Sequence, residues 1–531
     1  MKAIDLYSGI GGWSLGLKMA GIDVIQSFEY WPTAIETYNN NFNSKLEPID
    51  LRSFDLDTLP FGEGEINIIV GSPPCTQFSY ANRGGRGDIQ DGLVDIKIFL
   101  DFITKLKPKF WVMENVPRVK RVLESHLYEK GGSLHKYRSL FRDAHIEVID
   151  CSEFGIPQKR KRMIAGNYDF DQLNTYKKQF RTISLGEVID VFKKNEYIDP
   201  IYNKRSKDII DHALEDCLDK ETERINKSMK VAHPIYNKMS FPDNLNKPSR
   251  TITATCTKVS RESIIVKEGK GYRRLTVRER ASIQTFPIDF QFSGKSYSSK
   301  FKMIGNAIPP MLTYLLAQTM LGKDHKDFEV PRDYKNLKLK PNFQTESSEP
   351  EKSNGQYRKD RKFTFAIPGL RFGSGVRFQL HNHFKNNQTK WVVEYFFGPS
   401  KNIMEINLDN SLFDECSKFI DNKKLNKLLD QQSWRDNIDF DNLQQVWIRK
   451  SKGDSPFKVL DQISSIAEKI EKLIKEKKSV LIEEFVLRQH QSSINKKSKR
   501  KQFKLGKKYS SNYKIIFCGF LIGSWFNKNA N

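Results

Sequence analysis

The sequence predicts an α/β fold built on an open parallel sheet, and three features carry that prediction. Residues 3–6 form a short apolar strand followed by YSGIGG and a helical pattern through Leu15, Leu17, Met19 and Ala20, the strand, glycine turn, helix order of a nucleotide-type site. Residues 66–70 (INIIV) form an unbroken apolar run that enters the sharp turn GSPPCTQFS, as a buried parallel strand does. Acids recur where strands end, the place at which open α/β sheets hold ligands.

Gly9, Gly11 and Gly12 in the first turn let the backbone approach a ligand, and the following helix offers unpaired N–H groups. The second strand, residues 24–28, ends in Glu29 with Tyr30 beside it, an acid placed to accept the hydroxyls of a ribose diol. A third strand end carries Asp50 and Leu51. Together these acids suit an adenosine-containing cofactor, while any one of them alone reads as a helix cap or a solvated loop residue.

Two prolines stiffen the backbone ahead of Cys75 and hold its thiol at a strand's carboxyl end. The residue reads either as a nucleophile or as a buried structural cysteine. A polar, glycine-rich loop over residues 80–92 carries Arg83 and Arg86, and a helix is expected from Leu93 to Leu106. FWVMENVP then forms a strand ending at Glu114 and Asn115. Glu114 is a candidate acid if its surroundings hold it protonated, and otherwise a partly exposed carboxylate. In PQKRKRMIAG, Arg160 and Arg162 stand two apart and face one side of an extended segment; a solvated basic edge is the plain alternative.

Composition agrees with a large nucleic-acid-directed protein. The chain has 531 residues, 38% of them hydrophobic, enough for two or three domains. Its formal charge of +24 calls for a polyanionic partner. Nucleic acid is preferred to a membrane, because no long apolar span occurs and the N-terminus enters a strand without a signal-peptide layout. Six scattered cysteines show no CxxC or Cys/His metal spacing, so neither a metal site nor a disulfide framework is expected and a reducing cytoplasm fits.

The ordered blocks DLYSGIGG, FEY, IDL, GSPPCTQFS, DGLVD, MENVP, QKRKR, RRLTVRERASIQTFP and GNAIPP cover roughly residues 1–322, and in that order they resemble the cytosine-5 DNA methyltransferase family. The resemblance implies a class I, Rossmann-like S-adenosylmethionine-dependent methyltransferase domain that acts on double-stranded DNA. It implies that Cys75 attacks carbon 6 of a flipped cytosine, that Glu114 protonates ring nitrogen 3, and that Arg162, supported by Arg160, holds the base and orients the thiol. The methyl group then passes to carbon 5 and the cysteine leaves. For the cofactor, the family pattern maps onto Tyr7, Gly9, Ile10, Gly12, Glu29, Tyr30, Asp50, Leu93, Asn306 and Ala307. Departures are modest: Tyr7 stands where the family usually has Phe, Tyr30 where Trp is common, and Thr76 where Gln is more usual.

By the same resemblance, residues 1–167 form the catalytic domain with 296–322 returning to it, and residues 168–295 form an inserted target-recognition domain. That span carries basic and aromatic patches, for example Tyr197, Tyr202, Lys204, Arg205, Tyr236 and Lys238, suited to phosphate and base contacts. A single recognition sequence is expected, in a restriction-modification or phage-defence setting. The alternative substrate is tRNA, methylated by one branch of the family that typically has Cys-Phe-Thr after the prolines; Cys75-Thr76-Gln77 favours DNA.

Residues 323–362 read as a linker, and residues 363–531 as a basic C-terminal α+β domain outside the resemblance. VRFQLHNHF and KWVVEYFF alternate like a hairpin, Ile463, Ile466, Ile470 and Leu473 keep the helical spacing of core or partner packing, and NKKSKRKQFKLGKK adds a basic run. Residues 361–531 hold about +15 of the total charge. DNA binding is the first expectation there, with two alternatives: a protein-docking module using the isoleucine stripe as its face, or a nuclease that would make the chain bifunctional. His381 and His383 flank Asn382 but lack the spacing of a ββα metal finger, so they are read as strand residues.

Overall fold

Strands buried on both faces read as continuous apolar runs, and such runs build the central sheet. The computed structural model describes residues 1–79, 87–193, 197–199, 201–202, 205–206, 214, 216–231, 239–294, 296–324, 326, 357–372, 376–386, 388–398, 403–430, 439–449, 453–474, 478–497 and 511–529. Its strands include β1 (Lys2–Leu6), β2 (Asp23–Phe28), β3 (Ile68–Gly71), β4 (Phe110–Asn115), β5 (His145–Asp150), the two-residue β6 (Gln158–Lys159) and β7 (Lys161–Gly166). Six of them form one sheet in the order β2-β1-β3-β4-β7-β5. β1 to β4 pair in parallel, and β7 runs antiparallel to β4 and β5. Because the chain steps outward from β1 to β2 and then returns to the other side of β1 with β3, the crevice at their carboxyl ends is a topological switch point.

The two-residue period distributes the strands between two cores. Ala3, Ile68, Val70, Val112 and Ile164 pack with Trp13, Leu17 and Leu315 on one face. Ile4, Leu6, Ile69, Met113 and Met163 pack with Leu93, Ile96, Phe99 and Leu100 on the other. Each fully buried aliphatic side chain contributes roughly 1.5–3 kcal/mol. A third cluster joins Ile10 and Leu15 to Val266, Leu275, Phe286, Tyr297 and Phe301, so part of the span read as target recognition shares a core with the returning segment.

Each of the four parallel strands leads into a helix: α1 (Gly12–Met19), α2 (Pro32–Phe42), α3 (Ile89–Leu106) and α4 (Arg118–Tyr128). The third begins at Ile89 rather than at the expected Leu93, because the Asp88 side chain accepts from the N–H groups of Gln90 and Asp91 and caps it earlier. Arg83 and Arg86, and likewise Lys204, Tyr236, Lys238 and most of the basic run and of the expected linker, lie outside the described residues. The expected strand at Asp50 is corrected too. Residues 44–50 have no regular structure and touch the end of β2 through a single bond, Ile49 N–H to the Glu29 carbonyl at 2.9 Å; Pro48 removes one of the donors a ladder would need.

The chain divides into two compact units, Met1–Asn226 with Ser240–Glu351, and Lys227–Met239 with Lys352–Asn531. In the second, the expected hairpin is present: strands Thr364–Arg371, Arg377–Lys385, Gln388–Phe397 and Met404–Ile406 follow one another in an antiparallel sheet. Ile463, Ile466 and Ile470, on helix Pro456–Leu473, are fully buried in this unit. They pack as core, one of the two uses that the spacing allowed, and Leu473 at the helix end is half-buried. No helix among the described residues is long and apolar enough to cross a membrane.

Candidate active site

Cys75 follows β3 by four residues and sits on a turn in which its own carbonyl accepts from Phe78 and Ser79 N–H, both at 3.0 Å. Three fixings hold that turn. Ser72 N–H reaches the Leu6 carbonyl at 3.3 Å, the Trp13 indole donates to Ser72 Oγ at 3.0 Å, and the Asn115 amide donates to the Pro73 carbonyl at 3.0 Å. The nucleophile candidate is therefore tied to β1, α1 and β4 together. Its thiol is partly covered, and burial raises its pKa, with the Glu114 carboxylate adding to the effect and Arg162 and Arg160 opposing it. Both arginines and the acid are thus within electrostatic reach of the sulfur.

Glu114 lies at the end of β4, and β7 brings Arg162 to it: Nε stands 2.8 Å from Oε1, with side chains 12% and 7% exposed. The acid is buried and a guanidinium faces it, so the partly exposed carboxylate that the sequence offered as an alternative is not what stands there. The Arg162 Nη1 also donates to the Lys161 carbonyl at 2.7 Å.

Arg160 behaves differently from its expected partner. The extended run breaks between β6 and β7, where Arg160 N–H bonds back to the Gln158 carbonyl at 3.0 Å. Its guanidinium, 1% exposed, donates to the carbonyls of Ile252 at 2.9 Å, Gly305 at 3.1 Å and Ala307 at 2.9 Å. Burial, with Arg162 nearby, lowers its pKa to about 9. It is a clamp between distant segments. Beside it Gln158 donates to Gln284 Oε1 at 2.8 Å and accepts from Ile252 N–H at 2.7 Å.

Next to the Cys75 turn lies a cavity of about 350 Å³ lined by Tyr7, Phe28, Glu29, Tyr30, Ile49, Asp50, Leu51, Arg52, Pro74, Thr76, Gln77, Asp91 and Asp95. Four of the residues expected to hold a cofactor, Tyr7, Glu29, Tyr30 and Asp50, line it. Glu29 is organised by backbone: Oε2 accepts from Gly9 N–H at 2.8 Å, and Oε1 from Tyr30 and Trp31 N–H at 2.9 and 2.8 Å. The lone pair left on Oε2 can accept from a hydroxyl.

Gly12, Ile10, Leu93, Asn306 and Ala307 are not among the lining residues. Ile10 and Leu93 are 2% and 0% exposed core residues. A Cβ on Gly12 would stand 2.4 Å from the Ile308 carbonyl oxygen, so that glycine lets the Ile308 backbone approach closely. Gly9, at φ +56°, faces open space.

Sequence reading passed over the polar wall of this cavity. Arg52 donates to both Asp95 oxygens at 3.0 and 2.7 Å and to Asp91 at 2.9 Å, Gln77 donates to Asp91 at 2.9 Å, and the Tyr7 hydroxyl reaches the Asp95 carbonyl at 3.2 Å. Asp91 and Asp95 stand four apart on α3, one face of a helix, and that spacing inside DGLVD was the available signal.

A mostly parallel sheet with its switch point between β1 and β3, an acid-lined cavity there and a cysteine on the adjoining turn define a Rossmann-like α/β protein with a ligand site at the strand ends. The comparisons go further. The family model for C-5 cytosine-specific DNA methylase matches residues 1–322, and the chain belongs to that family. The Type II methyltransferase M.HindV of Haemophilus influenzae is 30% identical over 330 residues, covering 61% of this chain and 97% of its own. M.FnuDI of Fusobacterium nucleatum, also a Type II methyltransferase, is 30% identical over 347 residues, covering 60% and 93%. Among solved structures, the Dnmt2 methyltransferase of S. pombe is 17% identical and covers 61% of this chain and 98% of its own, with a TM-score of 0.40.

Proposed function

We propose that this chain methylates carbon 5 of a cytosine flipped out of one specific duplex DNA sequence, with S-adenosylmethionine as donor, inside a prokaryotic or phage-infected cell as part of a restriction-modification or defence system. The observation that carries the reading is the convergence of Cys75 with the Glu114–Arg162 pair beside the cavity at the switch point.

The cavity suits that donor chemically. Glu29, Asp50, Asp91 and Asp95 outnumber the single Arg52 on its wall, which favours a cationic, hydroxyl-bearing ligand, and Phe28, Tyr30, Ile49 and Leu51 offer apolar surface for an adenine. Tyr7, Glu29, Tyr30 and Asp50 would hold it. When bound, it supplies an electrophilic methyl group on a sulfonium centre.

Cys75 Sγ, as thiolate, forms a bond to carbon 6 of the cytosine. Arg162 compensates the thiolate's charge and orients Glu114, whose carboxyl meets ring nitrogen 3 and places the proton that neutralises the developing negative charge. After carbon 5 is methylated, its proton leaves to solvent, the electrons of that C–H bond re-form the 5,6 double bond as the Sγ–carbon 6 bond breaks, returning the thiolate, and the proton on ring nitrogen 3 goes back to the Glu114 carboxylate. Arg160 acts through position, holding the arginine-bearing strand to the residues around Ile252 and Gly305. Residues 168–295 supply target recognition, and the basic residues 363–531 add phosphate contacts that slow dissociation.

The test is bisulfite sequencing of genomic DNA from a methylation-free host expressing the full chain or its Cys75→Ala variant. Methylated cytosines within one short motif, absent from the variant, are expected. Equal methylation in the variant would refute the mechanism, and none with either protein would refute the substrate.

A further inference from the structure

The hairpin of the second unit carries a constellation that the methylation reading does not use. Register pairs Gln379 with Glu394, His381 with Val392 and His383 with Lys390 across strands Arg377–Lys385 and Gln388–Phe397. The two-residue period puts all six positions on one face, while Phe378, Leu380, Trp391, Val393 and Tyr395 are buried on the other.

On the first face His381 Nδ1 stands 3.1 Å from Glu394 Oε2, and His383 Nε2 stands 3.0 Å from Glu394 Oε1. The three ligand atoms lie within 4.8 Å of one another, and the imidazole rings stack with centroids 4.2 Å apart. A structural link to Glu394 needs one imidazole; two converging on the same carboxylate make a donor set for a cation.

We propose that His381, His383 and Glu394 bind a divalent transition metal ion. Two nitrogens and one carboxylate suit zinc, nickel or iron rather than calcium or magnesium, which require oxygen ligands in greater number. Ligand atoms around one tetrahedral zinc stand roughly 3.3 Å apart, and each imidazole already stands near that distance from one of the two Glu394 oxygens. The acid is oriented in the manner of an outer partner: Gln379 Nε2 donates to Glu394 Oε2 at 2.8 Å, and Gln379 Oε1 accepts from Arg377 Nε at 3.0 Å. Glu394 and His381 are 15% and 18% exposed and His383 is 52% exposed, so the set is rooted in the sheet and open on the solvent side. Three protein ligands leave at least one position for water or an acceptor group.

The experiment uses the full chain after chelator treatment, titrated with zinc chloride in a calorimeter and with cobalt chloride in a spectrophotometer. One equivalent of zinc should bind, cobalt should develop visible d–d absorption, and both should weaken at least a hundredfold in His381→Ala and in His383→Ala. His383 is half exposed, so its variant folds even if the His381 variant does not. A melting curve without metal and DNA methylation without metal should be unchanged in His383→Ala. Stoichiometric binding that survives both substitutions, or no binding by the parent chain, would overturn the assignment and leave a hydrogen-bonded His–Glu–His triad.

Discussion

Asn115 donates its side-chain amide to the Pro73 carbonyl at 3.0 Å, so the last residue of β4 holds the turn that presents Cys75. Glu114 is its neighbour on the same strand, and one rigid strand end therefore sets both the nucleophile's position and the acid's. Asn115→Ala should lower single-turnover methylation by about a hundredfold through a misplaced thiol, while the lost buried hydrogen bond costs about 1–2 kcal/mol of stability. Asn115→Asp keeps the size without the donor and should reproduce most of the rate loss.

The two arginines should separate by what a conservative variant recovers. Arg162→Ala removes a partner from the buried Glu114 and a positive charge from the thiol's surroundings, and should cut the methylation rate and lower the melting temperature together, with Arg162→Lys, which keeps the charge, recovering most of the stability. Arg160→Ala removes a donor from three carbonyls, of which Ala307 keeps a second donor in Gln284, and should destabilise the chain by about 3 kcal/mol or more. Arg160→Lys cannot reproduce the planar fork and should recover little of that loss. Thermal melts beside single-turnover rates check both halves.

Tyr30 is 67% exposed and lines the cavity. Tyr30→Ala should leave the melting temperature unchanged and weaken S-adenosylmethionine binding by about tenfold, in line with about 1 kcal/mol for a stacking contact. Calorimetric titration of the cofactor measures it.

Asp5 is fully buried on β1 and accepts from Ser14 N–H and Oγ at 3.1 and 2.6 Å, while its Oδ1 has no partner among the described residues. Burial raises its carboxyl from 3.8 to about 7. Between those values the folded chain keeps a proton that the unfolded chain releases, so the stability this group contributes is complete below about pH 4 and is lost as pH rises to about 7. Asp5→Asn has no such titration. The unfolding free energy of the parent relative to this variant should fall by about 3 kcal/mol from pH 5 to pH 7.5, as urea denaturation would measure.

Much of the first 322 residues is legible because its signals are local. Apolar runs, the glycine turn after β1 and the double proline before Cys75 act on backbone dihedrals within a few residues, and they place strands and turns within two residues or so of where they lie. The helix start at Ile89 depended on a cap at Asp88 that competes with a glycine-rich loop, and was missed for that reason. The missing strand at Asp50 is a pairing question, since a strand exists only where a neighbour offers a ladder.

Side-chain partnerships are a different matter. Arg160 and Arg162 look equivalent in QKRKR, yet one meets Glu114 and the other meets carbonyls 92, 145 and 147 residues further along the chain. His381 and His383 read as alternate strand positions, and Glu394 joined them only through the register of the next strand. Burial of the Ile463 stripe likewise depended on which surface the helix found. Hydrophobic period and turn chemistry are written residue by residue. The partner of a guanidinium, an imidazole or an apolar stripe is chosen when segments far apart in sequence pack, because desolvating such a group is favourable only where complementary atoms already wait.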